Sequence, residues 1–179
     1  MKKLLFLSAT ALSFTGFGQV KNSIKVDPVS IIVGGGSNLV SYERSLDDHS
    51  TIGAGVGFAT FKVDDYKYNF MGIEGFYRYY TKQAFQGLFF SGSLGVAGGR
   101  AKYTLDKSNT LKDKYTTVYV SGLIGYQWVW KSGFTLDLHG GVTYLTLNYK
   151  EDKFKNNAVK AKADILAPAL AIGLGYSFK

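Results

Sequence analysis

Hydrophobic and polar positions alternate with a period of two along most of the chain, most sharply in residues 119–146, YVSGLIGYQWVWKSGFTLDLHGGVTYLT. That period is the signature of a strand, whose successive side chains leave opposite faces. Val120, Ile124, Tyr126, Trp128 and Trp130 share one face with Gly122, and Tyr119, Ser121, Leu123, Gly125, Gln127 and Val129 share the other. Lys131-Ser132-Gly133 then makes a tight turn. Beyond it Phe134, Leu136, Leu138, Val142 and Tyr144 oppose Thr135, Asp137, His139, Gly141 and Thr143. Alternation alone does not say which face is buried. Three consecutive aromatics of the apolar face, Tyr126, Trp128 and Trp130, flank the turn with Phe134 across it, which is how a membrane barrel places its interfacial belt.

The same reading predicts eight strands with alternately short and long connections. Ahead of the central hairpin they cover residues 24–34, 38–46, 50–61, 68–80 and 87–103, and the last covers 164–178; residues 29–45 also fit one long strand, and an even strand count with both ends in the periplasm favours two. Short reversals at 47–49, 81–86 and 131–133 belong to the periplasmic side. Connections at 34–37, 62–67, 104–114 and 150–163 belong to the external side. Pro28 stands near the start of the first strand, where a missing amide donor does least harm. The fourth strand puts Met71, Ile73, Tyr77 and Tyr79 outward and Glu74, Phe76 and Arg78 inward. In the last strand Leu166, Pro168, Leu170, Ile172, Leu174, Tyr176 and Phe178 oppose Ala167, Ala169, Ala171, Gly173, Gly175 and Ser177. Large apolar residues outside and small or polar ones inside invert the logic of a soluble barrel. The fold class expected is all-β: an eight-stranded antiparallel up-and-down transmembrane β-barrel.

Composition fits one such domain: 179 residues, 46% hydrophobic and 16% aromatic, with 22 Gly, 2 Pro and no Cys. Residues 1–18 read as a secretory signal, with Lys2 and Lys3, an apolar run and a closing Gly16-Phe17-Gly18 before cleavage at Gln19. The barrel domain then covers residues 19–179. Export without cysteine excludes a disulfide-stapled scaffold and a lipoprotein that needs a lipidated N-terminal cysteine. Mean hydropathy near zero carries little weight, because alternating strands average a lipid face with a lumen face.

With Ser41-Tyr42-Glu43-Arg44, the YQWVW of residues 126–130 and the terminal LGYSF of residues 174–178, the chain resembles the small outer-membrane β-barrel proteins common in Bacteroidota. More distantly it is similar to the OmpX group and the OmpA membrane domain. The resemblance covers most of the mature chain, and its motifs are architectural. It implies an outer-membrane location, outer-membrane lipids including lipopolysaccharide as neighbours, and a C-terminal aromatic, Phe178, read by the barrel-assembly machinery. Lys179 follows Phe178, a departure from that terminal pattern.

An eight-stranded barrel has an interior that side chains can fill, so no open pore is expected. The inward set contains a polar network of Glu43, Glu74, Arg78, Gln127, Asp137 and His139, beside large Phe61, Phe76, Tyr119 and Leu123. Glu43, Arg78 and Asp137 each lie within a few residues of a short turn, and so should meet at one depth as a plug of ion pairs, with Arg78 the single inward cation. The belt is expected from Tyr77, Tyr79, Tyr126, Trp128, Trp130, Phe134, Tyr176 and Phe178. Acyl-transfer or protease chemistry on such a barrel needs a histidine at the outer rim. His49 falls in a short turn and His139 about 20 Å along its strand from Gly133, so neither reaches that rim. No metal motif, phosphate loop or nucleophile elbow is present, and no cofactor is implied.

The formal charge of +8 becomes +6 once Lys2 and Lys3 leave with the signal, and much of it sits in the expected external connections, near lipid A phosphates. Export disfavours nucleic acid as a partner. The leading reading is a non-enzymatic outer-membrane barrel with a structural and surface-contact role. A gated carrier of small apolar compounds in the manner of OmpW, a rim enzyme and a soluble periplasmic lipid-binding barrel stand as alternatives.

Overall fold

Eight antiparallel strands, each paired with its neighbour in sequence and the last with the first, close into an up-and-down barrel. The computed structural model describes residues 20–29, 39–63, 66–106, 109–151 and 159–179. The strands are β1 (Asn22–Val26), β2 (Val40–Ser45), β3 (Ser50–Val63), β4 (Tyr66–Tyr80), β5 (Gly87–Asp106), β6 (Asn109–Val129), β7 (Phe134–Glu151) and β8 (Val159–Phe178). Closure runs through five register pairs of β1 with β8, from Asn22↔Phe178 to Val26↔Leu174. The three short turns, the start of β1 and the end of β8 therefore gather at one rim, which we call the short-turn end.

Local chemistry explains these turns. At the β6–β7 turn Gly133 takes φ +87°, a conformation L side chains rarely adopt, and its amide donates to the Trp130 carbonyl at 2.9 Å. At the β2–β3 turn Asp47 Oδ1 accepts from the amides of His49 and Ser50, both at 2.8 Å. The amide of His49 foremost holds the Asp47 carboxyl below its ordinary range. A carboxyl depressed by folding contributes stability that is complete above its unfolded-state pKa and is lost as pH falls through the folded-state value. Unfolding curves of the unmodified chain and an Asp47→Ala variant should therefore differ at neutral pH and converge on acidification; a constant gap would contradict this role.

Several boundaries differ from the sequence reading. β1 ends at Val26, not residue 34, and Pro28-Val29 form a helical turn beyond it. Two strands do occupy the first 46 residues, as expected, but the reversal placed at 34–37 lies outside the described residues, as does the export signal at 1–18. The described residues of the connections expected at 62–67, 104–114 and 150–163 are strand: β3 and β4 continue to Val63 and from Tyr66, β5 and β6 to Asp106 and from Asn109, β7 and β8 to Glu151 and from Val159. Lysines at these ends suggested loops, yet they alternate with apolar or aromatic neighbours such as Tyr103 and Leu111, so the period of two persists beneath the charge.

The two faces are sharply unlike. On the outer wall Leu170 is 81% exposed, Met71 69%, Leu166 68%, Phe58 66% and Leu94 62%. Glu43 and Gln127 are fully buried in the lumen, and Asp137, Lys25 and Arg78 are nearly so. The expected belt residues all lie on the outer wall. Tyr77, Tyr79, Trp130, Phe134, Tyr176 and Phe178 are exposed there, and half-buried Tyr126 and Trp128 pack together with ring centroids 4.5 Å apart.

Candidate functional site

Charged side chains from β1, β2, β4 and β7 converge in the lumen near the short-turn end, because each stands on the inward parity of its strand. Lys25 Nζ lies 2.7 Å from Glu43 Oε2, 2.7 Å from Asp137 Oδ2 and 2.9 Å from Gln127 Oε1. All three ammonium donors are thereby used. Arg78 Nη1 approaches Asp137 Oδ2 at 3.0 Å and Glu43 Oε2 at 3.4 Å. Two cations thus bridge the same two carboxylates, giving a cluster with no net charge, the arrangement that makes burial of charge tolerable.

Neutral groups complete it. Thr51 Oγ1 donates to Glu43 Oε1 at 2.5 Å, and the Tyr80 hydroxyl lies 2.8 Å from both Glu43 Oε1 and Gln127 Oε1. His139 Nδ1 stands 2.9 Å from Asp137 Oδ1. The Arg78 guanidinium lies over the rings of Phe89 and Phe76, 4.5 and 4.9 Å from their centroids. Arg78 Nε, Gln127 Nε2 and Ser93 Oγ have no hydrogen-bond partner among the described residues, so satisfaction is incomplete.

Below the ions, Ser23, Thr135 and Ser177 form a buried hydroxyl chain, with Thr135 to Ser177 at 2.6 Å and Ser177 to Ser23 at 3.0 Å. The fully buried ring of Phe85 packs against Tyr80 from the β4–β5 turn, held at φ 69°. Above the ions, Phe89 and His139 meet edge to face at 6.0 Å across Gly125. A Cβ there would come within 2.5 Å of both side chains, which is why the strand carries glycine at that point. Hydroxyls, ions and rings thus occupy successive layers of the lumen near the short-turn end.

Of the residues picked out from sequence, the structure brings Glu43, Arg78, Gln127, Asp137 and His139 together. Glu74 is not among them. It is half-buried and four residues along β4 from Arg78, roughly 13 Å away, in a separate layer beyond Phe76. Arg78 is not the single inward cation, since Lys25 sits deeper in the ion network and is 2% exposed. Tyr80, Thr51 and Phe85 were also missed. Tyr80 and Thr51 carry the inward parity and could have been read; Phe85 depends on a turn geometry that no alternation encodes. Phe76 and Tyr119 are buried in the lumen and Leu123 is half-buried, while the Phe61 side chain lies outside the described ones.

Among the described residues no group of three or more His, Cys, Asp or Glu could hold a metal ion. His49 is exposed at the short-turn end, stacked on Tyr79 at 6.1 Å, far in sequence and role from the Asp137–His139 pair. No hydroxyl nucleophile is hydrogen-bonded to His139 among the described contacts.

A model of the family described as "Protein of unknown function (DUF3575)" matches residues 4–178. No curated protein and no solved structure matches the chain.

Proposed function

From the premise that the chain belongs to the DUF3575 family, whose description assigns no activity, we propose that it is an integral outer-membrane β-barrel with a side-chain-filled lumen, serving a structural and surface-contact role in the cell envelope. One observation carries this reading: the outer wall exposes large apolar side chains while two cations and two carboxylates are buried inside. Leu170, Met71, Leu166 and Phe58 each expose about two thirds or more of their surface, against 0–4% for Glu43, Asp137, Lys25 and Arg78. In water that distribution is costly on both faces. In a bilayer the apolar wall meets hydrocarbon, and the ladders from β3–β4 to β7–β8 pair the long strands with one another along their length.

The aromatic residues support the same placement. Tyr77, Tyr79, Trp130, Phe134, Tyr176 and Phe178 ring the short-turn end of the apolar wall, the level at which amphipathic rings meet headgroups. Phe178, exposed at the end of β8 and paired with Asn22, is the assembly signal in this reading. Membrane fractionation followed by gel mobility of unheated and heated samples tests it. Outer-membrane recovery with a heat-dependent mobility shift is expected; recovery in the soluble periplasm without a shift contradicts it.

The barrel is not an enzyme in this proposal. Replacing His49 and His139 together by glutamine should leave heat-modifiable mobility intact and should still complement any envelope phenotype of a deletion strain. Failed complementation by a normally folded double variant would contradict the structural role given to these histidines.

A carrier of small apolar compounds is the second reading, and one feature favours it. An open groove of about 460 Å³ on the outer wall is lined by exposed Ile124, Leu138 and Leu170 with Val29, and reaches lumen-parity His139 and Ala171. That volume is within the range of small-molecule sites. Uptake of a fluorescent apolar probe into vesicles that depends on the barrel, and is lost in Gly140→Leu, would support it over the scaffold reading.

A further inference from the structure

Each of the six long strands changes character toward the end opposite the short turns. The last strongly exposed apolar side chains of the outer wall there are Phe58, Met71, Val96, Val118, Tyr144 and Leu166. A row of small or polar residues follows, in which Thr60 Oγ1 lies 3.1 Å from Asn69 Oδ1 and Thr146 Oγ1 donates to Asp164 Oδ1 at 2.6 Å. Next on the same parity come basic residues, in two successive rows. One row is continuous through the register pairs Lys62↔Lys67, Lys67↔Lys102 and Lys102↔Lys112. The other runs Arg100↔Lys114, Lys114↔Lys150 and Lys150↔Lys160.

Like charges directly opposite each other in an antiparallel pair destabilise it. A solvated rim would interleave signs; here the register sets basic positions opposite one another along each row. Among the described residues, the acids nearest these rows are Asp164, which shares their parity and lies 3.7 Å from exposed Lys162 through its carboxylate, Asp106 at the end of β5, and Asp113 and Glu151, which oppose one another in register on the lumen parity. Neighbouring strands are about 4.8 Å apart and same-face neighbours along a strand about 6.6 Å, so the two rows form a lattice of basic positions wider than a single phosphate.

Depth singles out the partner. From Phe178 to Leu166 the outer wall of β8 runs twelve residue steps (178 minus 166), about 40 Å along the strand and roughly 30 Å across the bilayer once tilted. On β8 the first basic position of that parity, Lys162, comes four residue steps beyond Leu166, about 13 Å along the strand and roughly 10 Å further toward the headgroups once tilted. We propose that the basic rows form a docking girdle for a lipid whose headgroup carries two phosphates, as lipid A of an outer leaflet does, and that this lipid neutralises the facing cations. The proposal rests on the membrane placement argued above and adds a specific lipid partner and the positions that hold it.

Native mass spectrometry of the full chain, released from vesicles containing either bisphosphorylated or monophosphorylated lipid A in phosphatidylcholine, tests this, with gel mobility of the same samples reporting insertion. The unmodified barrel is expected to retain the bisphosphorylated lipid preferentially. Combining Arg100→Gln, Lys102→Gln, Lys112→Gln and Lys114→Gln should cut that retention by about tenfold or more, while the same loss of charge at the other end, in Lys21→Gln, Lys82→Gln, Lys131→Gln and Lys179→Gln, leaves it unchanged. Equal retention of the two lipids by the unmodified, inserted barrel, or equal loss in both variants, would overturn the girdle while leaving membrane placement intact. Should the first variant fold poorly, the comparison of the two lipids on the unmodified barrel still decides. Failure of the unmodified chain to insert would overturn the membrane placement and the girdle together.

Discussion

Replacing Lys25 by methionine is expected to destabilise the folded barrel by about 3 to 5 kcal/mol, the cost of leaving a buried carboxylate without its cation. Lys25 Nζ makes contacts of 2.7 Å to both Glu43 and Asp137 and is 2% exposed, so neither the remaining protein nor bulk water readily replaces it. Arg78→Ala is expected to fall toward the lower end of the same range. Its contacts to the two carboxylates are longer, at 3.0 and 3.4 Å, and its Nε already lacks a partner among the described residues. Adding Glu43→Gln to Lys25→Met should recover part of the loss, because the orphaned charge leaves with its partner. Urea titration of the barrel in lipid vesicles measures all four species. Losses under about 1 kcal/mol for both single variants would show that the ions are solvated rather than locked. A locked plug also predicts no steady open channel in planar-bilayer recordings of the unmodified protein.

Arginine at position 170 is expected to cost about 2 to 4 kcal/mol and to impair insertion, because that charge would stand near the middle of the apolar wall. Leu170 is 81% exposed and opposite Gly140 of β7, with Leu166 and Tyr176 on the same face. Ala171→Ser, one residue on and on the lumen parity beside His139, should be mild. Equal tolerance of the two changes in vesicle folding would favour a barrel that folds in water.

The short turns, the closed eight-strand order and the division between wall and lumen were all legible in the chain, because each follows from a local period of two interrupted by turn residues. Gly133 and Asp47 announce their turns through their own backbone chemistry. What escaped was non-local or masked. Lys25 looks like a solvated residue at the start of a strand; only the closing pairs of β1 with β8, and the two carboxylates brought from β2 and β7, make its burial tolerable. Glu74 has the inward parity but the wrong height, and height depends on stagger between strands, which alternation does not carry. The far ends of β5 to β8 were read as loops because lysine content there outweighed a surviving alternation, and that same error hid the facing of cation upon cation. Phe85 seals the short-turn end through a positive φ that a bulky residue adopts only when the burial of its ring compensates.

The chain has no cysteine, so a single one can be introduced and spin-labelled without competing thiols. Paramagnetic relaxation at labels on Leu170→Cys and Ala169→Cys, in vesicles, against oxygen and a water-soluble nickel chelate, tests the central claim most directly. Strong oxygen and weak nickel broadening at 170, with weak oxygen broadening at 169, is the result predicted for an apolar wall in lipid around a filled lumen. Strong nickel broadening at 170 would place that wall in water and contradict it.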